Sequence, residues 1–174
     1  MKTLLRIVIP GGSGQVGTLL SRHFHAQGHK VAVLARKAAP APWRLVSWDG
    51  ESLGDWMSEL ENSDVVINLA GRSVNCRYTA ANRNAIMNSR TVTTRLLGRA
   101  ISQLAHPPRL WMNASTATIY RHVYDRAMDE RTGEVGGNEP GRTCQMEVQH
   151  RCGDWLGSGF FRGSDPQCPQ GCAS

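Results

Sequence analysis

The most constraining stretch of the sequence lies near its start, where an apolar run meets a cluster of glycines. Residues 4–10, Leu-Leu-Arg-Ile-Val-Ile-Pro, are rich in branched side chains and read as a buried strand. Gly11-Gly12-Ser13-Gly14-Gln15-Val16-Gly17 follows. Val16 to Gln27 then sets Val16, Leu19, Leu20 and Phe24 at helical spacing, with Gly28 closing the helix. Between a strand and a helix, glycines at 11, 14 and 17 permit a sharp bend, admit a pyrophosphate against bare backbone and let the helix pack closely on the sheet. The helix start turns unpaired N–H groups and the positive end of its dipole toward such a ligand. Turns use glycine whatever they bind, so the context carries this reading rather than the glycines alone. The expectation is a dinucleotide site that includes Gly11, Gly14, Gln15, Val16 and Gly17.

Further strands are expected at Val31 to Ala35, Arg44 to Trp48, Asp64 to Leu69 and Arg109 to Ala114. Leu53 to Leu60 reads as a brief helix. Ala80 to Leu104 reads as a long helix or helix pair with Ile86, Val92, Leu96, Leu97 and Ile101 on one face, stopped by Pro107 and Pro108. Five strands alternating with helices imply an α/β fold, a parallel sheet wound on both faces through right-handed crossovers. One domain is expected over residues 1–141. From Arg142 onward Gly, Pro, Cys and Gln dominate and no apolar period survives, so 142–174 reads as an irregular tail.

Such a sheet receives its ligand at the carboxyl ends of the strands. Arg36, nineteen residues after Gly17, ends the second strand. Dinucleotide sites that hold a free ribose 2′-OH usually place an acid there, whereas an arginine suits a 2′-phosphate. Lys37 adds a second positive charge; the plainer reading is that both project into solvent. NADP(H) is therefore expected over NAD(H). Asp49, at the end of the third strand, is read either as an acceptor for the adenine amine or as a turn residue before Gly50. Asn68-Leu69-Ala70-Gly71 puts small residues where backbone must run close to a ribose, and Leu69, Ala70 and Gly71 join the expected cofactor set. Ser115 follows the fifth strand, beside Thr116 and Thr118; its hydroxyl suits a substrate carbonyl or hydroxyl, or else a turn. Arg77 and Arg90 are candidate anchors for an anionic substrate group, and equally solvated helix charges. Tyr120 and Tyr124 are the nearby phenols, and Tyr120 joins the substrate candidates.

The net charge of +6 is spread over single arginines with no basic run, which argues against a groove tracking nucleic-acid phosphates. No apolar run approaches a membrane span, and the first residues lack the build of a signal peptide, so a cytoplasmic protein acting on a small molecule is expected. The six histidines lack ligand spacing and read as surface residues. Cys144, Cys152, Cys168 and Cys172 are separated by 8, 16 and 4 positions, of which only the last fits a metal pair, and no metal site is expected.

Several strings then converge: I-P-G-G-S-G-Q-V-G (9–17), N-L-A-G-R-S-V (68–74), R-Y-T (77–79), S-R-T-V-T-T-R-L-L (89–97) and N-A-S-T-A-T-I-Y (113–120). Together they resemble the extended short-chain dehydrogenase/reductases, and within them the atypical NAD-dependent epimerase/dehydratase group. The resemblance covers residues 1 to about 141 and implies a Rossmann-like domain with NADP(H) along Gly11, Gly14, Gly17 and Arg36. It puts Ser115 at the family's catalytic serine position. The superfamily's proton shuttle is a Y-x-x-x-K pair. No Tyr follows Tyr124 and no Lys follows Lys37, so this chain holds no such dyad. A non-catalytic dinucleotide-binding regulator is the alternative function.

The resemblance implies further strands and a small substrate domain past Gly141, so the chain reads as C-terminally truncated, with inactivity through truncation as one expectation. Reading the tail's codons one base later turns Met146-Glu147 into Trp and Trp155-Leu156 into Gly whatever codons are used. Permissible codons elsewhere give W-K-F-S-I-D-V-A-T-G-W-E-A-A, a family-like string. The expectation is a one-base slip near codons 141–144.

Overall fold

A computed structural model describes residues 3–37, 40–115, 120–121, 123–129 and 131–134. The elements run β1 (Arg6–Pro10), α1 (Gln15–Ala26), β2 (Lys30–Ala35), β3 (Arg44–Ser47), α2 (Met57–Leu60), β4 (Val65–Asn68), α3 (Ala80–Ser102) and β5 (Leu110–Asn113). All pairing is parallel and the strand order is β3-β2-β1-β4-β5. The first strand thus sits in the middle, with Ile7 opposite Val31 on one side and Val65 on the other. The expected doubly wound sheet is present, and its order reverses between β1 and β4, which opens a crevice at their carboxyl ends. The tail from residue 142 lies outside the described residues.

Strand alternation splits the core into two layers. Val8, Ala32, Leu34 and Val66 face Trp48, Trp56, Leu60, Leu96, Leu97 and Ala100, which belong to the α2–α3 side. Ile7, Ile9, Val31, Val33, Ala35 and Ile67 face Leu20 and Phe24 of α1. Each fully buried aliphatic side chain contributes about 2 kcal/mol.

The packed face of α1 differs from the apolar spacing. Val16 and Leu19 are 60% and 59% exposed, while Gly17 and Ser21 are buried. The helix lies so close to the turn before it that only small residues fit beneath, and the larger apolar groups are displaced to its flank. Along α3, Val92 is exposed and Thr91 and Thr94 take buried places instead; Thr91 Oγ1 donates to the Met87 carbonyl at 3.1 Å and so carries its polarity inward at little cost. The brief helix is shorter than expected because Ser52 to Trp56 is a turn, with Trp56 Nε1 donating to the Ser52 carbonyl at 3.0 Å. His29 is buried rather than on the surface, where its Nδ1 accepts from the Leu5 amide at 3.1 Å. On β5, Leu110 and Met112 point to the α1 side of the sheet and stay 48% and 41% exposed.

Glu59 is a buried carboxylate, 7% exposed, with Arg44 Nε at 2.7 Å and Arg6 Nη2 at 3.5 Å. Both arginines remain partly in water, so the pairs are screened. Glu59→Gln is expected to cost about 1 kcal/mol, and less in high salt. Urea melts of both proteins at low and high salt check this; an unchanged midpoint at low salt contradicts it.

Candidate functional site

The crevice is built from the glycine turn and the end of β4. Gly11 has φ +73° and donates its N–H to the Leu34 carbonyl at 2.9 Å. A Cβ on Gly11 would lie 2.6 Å from Ala70 N and Cα, so the turn and the extension of β4 are in backbone contact. Gly12 is closed in the same way by Ile9 at 2.9 Å, and Gly17 by Gly12 itself at 2.4 Å. Gly17 thus serves contact between the helix and its own turn, where the sequence suggested contact with the sheet. Gly14 is different: the nearest atom to its imaginary Cβ is 3.8 Å away, and the residue is exposed.

Gly14 is also the N-cap of α1. No side chain caps the helix and no acidic residue occupies its first turn. The first-turn amides of Gln15, Val16 and Gly17 therefore have no intrahelical acceptor and face the open side of Gly14. An anion laid across Gly14 meets them with the helix dipole in its favour.

Arg36 and Lys37 follow β2 directly and are both exposed. Asp49 takes the turn role: Oδ1 accepts from the Glu51 and Ser52 amides at 2.8 and 3.0 Å, and Oδ2 meets the Ser52 hydroxyl. Those bonds hold its carboxyl down at about 2, the Ser52 hydroxyl contributing most.

Asn68, buried at the end of β4, fixes the floor. Its Nδ2 donates to Asn113 Oδ1 at 2.8 Å and to Thr94 Oγ1 at 3.2 Å, and its Oδ1 accepts from the Ala70 amide at 3.1 Å. One side chain thereby ties β4, β5 and α3 together and aims the backbone of Leu69, Ala70 and Gly71. Gly71 lies under the Arg90 guanidinium, whose Cζ would be 3.3 Å from a Cβ there. Ser115 is exposed two residues past Asn113, which pairs with Asn68, so its backbone stands at the same end of the sheet.

The structure therefore gathers Gly11, Gly14, Gly17, Leu69, Ala70, Gly71 and Arg90 at one crevice. Tyr120 packs its ring against Gly133, and Arg77 is exposed on the loop before α3, so neither is placed at the crevice floor. Thr116 and Thr118 lie outside the described residues. The bracing role of Asn68 has one sequence signal, a polar residue ending an otherwise apolar strand. Among the described residues no three His, Cys, Asp or Glu converge as a metal site, and no helix is long and apolar enough to cross a membrane.

Comparison with known proteins bears on the same region. The sequence pattern of the NAD dependent epimerase/dehydratase family matches residues 7–154. The mouse epimerase family protein SDR39U1 is 33% identical over 137 residues, covering 77% of this chain and 44% of the mouse protein. Epimerase family protein YfhF of Bacillus subtilis is 32% identical over 129 residues, 72% of this chain and 42% of its own length. The chain thus spans less than half the length of these relatives. Among solved structures, human epimerase family protein SDR39U1 (isoform 2) with NADPH superposes with a TM-score of 0.70 at 25% identity, covering 92% of this chain and 50% of that one.

Proposed function

The chain belongs to the NAD-dependent epimerase/dehydratase family, and on that premise we propose that it binds NADP(H) and supports epimerase- or oxidoreductase-type chemistry on a small-molecule substrate. The observation that carries the proposal is the contrast within the turn: Gly11, Gly12 and Gly17 are closed against backbone, whereas Gly14 stays open beside free helix amides. The open side of Gly14 is where a pyrophosphate would lie against the helix start. The human relative with NADPH supports the choice of coenzyme.

In this reading the pyrophosphate lies over Gly11, Gly14, Gln15, Val16 and Gly17. Arg36 and Lys37, free in water at the end of β2, pair with the 2′-phosphate. Asp49 lies at the adenine side, and the backbone of Leu69, Ala70 and Gly71 lines the nicotinamide side. When bound, the coenzyme supplies a hydride or accepts one. Ser115 hydrogen-bonds a hydroxyl or carbonyl of the substrate and orients it. No Tyr-x-x-x-Lys pair exists in the sequence to move the proton. That absence favours a second reading, a dinucleotide-binding regulator without turnover, and coenzyme turnover with candidate metabolites separates the two. The one-base slip near codons 141–144 is a further proposal, which sequencing the gene decides.

Calorimetric titration tests the coenzyme assignment. Wild type is expected to prefer NADPH to NADH, and Arg36→Asp to lose about tenfold in NADPH affinity while keeping NADH. Equal wild-type affinities overturn the role of Arg36; no binding of either overturns the proposal.

A further inference from the structure

No aspartate or glutamate occurs between Asp64 and Asp125, a stretch that carries eight arginines. Four of them, Arg72, Arg77, Arg83 and Arg90, fall on the loop after β4 and the first half of α3. None has an ion-pair partner among the described residues. Neutral groups hold two of them: Arg72 Nη2 donates to Asn82 Oδ1 at 3.0 Å, and Arg90 Nη1 to the Ile86 carbonyl at 3.1 Å. The loop is laced to the helix in the same way, the Arg72 amide donating to Ser89 Oγ at 2.9 Å and Asn82 Nδ2 to the Arg77 carbonyl at 2.8 Å. The positive charges of Arg72 and Arg90 at this end of the crevice are therefore fixed in place and unneutralised.

Tyr78 adds a second, independent feature. Its ring joins Val74, Cys76 and Met87 around Ile86 in a small apolar cluster apart from the main core. Its hydroxyl is buried without a hydrogen-bond partner. Burial pushes the phenol above its ordinary value, with Cys76 adding to the shift and the Arg90 guanidinium opposing it, so the group is a neutral donor. Buried hydroxyls in folded proteins are normally satisfied, and one left over within the electrostatic reach of Arg90 calls for an acceptor. Ile86 joins the two, since Tyr78 packs on its side chain and Arg90 binds its carbonyl.

The coenzyme does not use this charge. Its pyrophosphate belongs to the glycine turn and its 2′-phosphate to Arg36, and the nicotinamide end carries no negative group. We propose that Arg90 and the Tyr78 hydroxyl receive an anionic oxygen group of the substrate, a carboxylate or a phosphate, at the end of β4. This rests on the coenzyme reading above, which sets the reacting ring beside Gly71. A small molecule fits better than a nucleic acid, because Tyr78, the only aromatic residue in the 71–90 segment, is occupied in its own cluster instead of being offered for stacking.

The test follows the arginine Nε–H signals by NMR in the full chain saturated with NADPH. Inorganic phosphate and succinate are titrated separately at constant ionic strength. The expected result is a saturable shift of the Arg90 signal with at least one anion, identified by its loss in Arg90→Gln. Affinity read from the remaining shifted signals is expected to weaken about tenfold in Arg90→Gln and about threefold in Tyr78→Phe, with partial recovery in Arg90→Lys. Melting curves show that each variant is folded. No saturable response to either anion overturns the proposal, as does a response unaltered in Arg90→Gln. A short oligonucleotide that binds more tightly than both anions and is lost in Arg90→Gln also overturns it. NADPH fluorescence in the same samples separates the two claims: coenzyme binding without an anion response sinks this one alone. An anion response without coenzyme binding sinks the coenzyme reading, and the substrate assignment with it.

Discussion

Gly17→Ala is expected to lose about 3 kcal/mol of folding free energy and all measurable NADPH binding. The added Cβ would stand 2.4 Å from Gly12 Cα and 2.5 Å from its carbonyl oxygen. Both are backbone, so no rotamer change relieves the overlap, and the helix must move off the turn. Gly14→Ala supplies the contrast. Its Cβ meets nothing closer than 3.8 Å, so stability is expected to stay within about 0.5 kcal/mol of wild type. Its methyl group nevertheless enters the space proposed for the pyrophosphate, and NADPH affinity is expected to fall about tenfold. Chemical denaturation and coenzyme titration of both variants give the answer. Equal stability of the two, or full NADPH affinity in Gly14→Ala, contradicts the division between a structural and a ligand glycine.

Asn68→Ala is expected to cost about 2–3 kcal/mol, because the Ala70 amide and the Asn113 side-chain oxygen both lose a partner in a site that is only 4% exposed. The damage extends to function, since the Ala70 amide is what Asn68 aligns. Asn68→Asp sharpens the test. The amide donors to Asn113 and Thr94 are replaced by oxygen, and burial favours the neutral acid. Its folded-state pKa is therefore raised, and the unfolded chain ionises more readily as pH rises. The variant should be nearest to wild type around pH 4 and progressively weaker toward neutrality. A constant deficit across that range would show that the carboxyl is solvated, and that the bracing seen around Asn68 is not what stabilises the site.

The strand pattern was legible because parallel strands covered on both faces must be apolar throughout, as β1 and β2 are. Apolar spacing misled where contact distance rather than hydrophobicity decides burial. Gly17 and Ser21 carry the inner face of α1, and spacing alone credits Val16 and Leu19. The burial of His29 is not legible in sequence, because nothing local announces that the Leu5 amide needs its ring nitrogen. The glycine turn was legible as a motif but not in its division of labour. Which glycine is closed depends on Ala70, Ile9 and Gly12 in the folded chain. Asp49 offered two readings from sequence, and its turn bonds give the structural one.

The contact between Gly11 and Ala70 has a consequence for how the protein comes to life. A nascent chain that has emerged only through β2 already displays the glycine motif, yet it lacks one wall of the crevice until β4 docks beside β1. That pairing is non-local and closes a long loop, so it belongs to the slow part of assembly. A coenzyme able to grip only the closed form acts as a folding ligand, drawing late intermediates toward the native state by mass action.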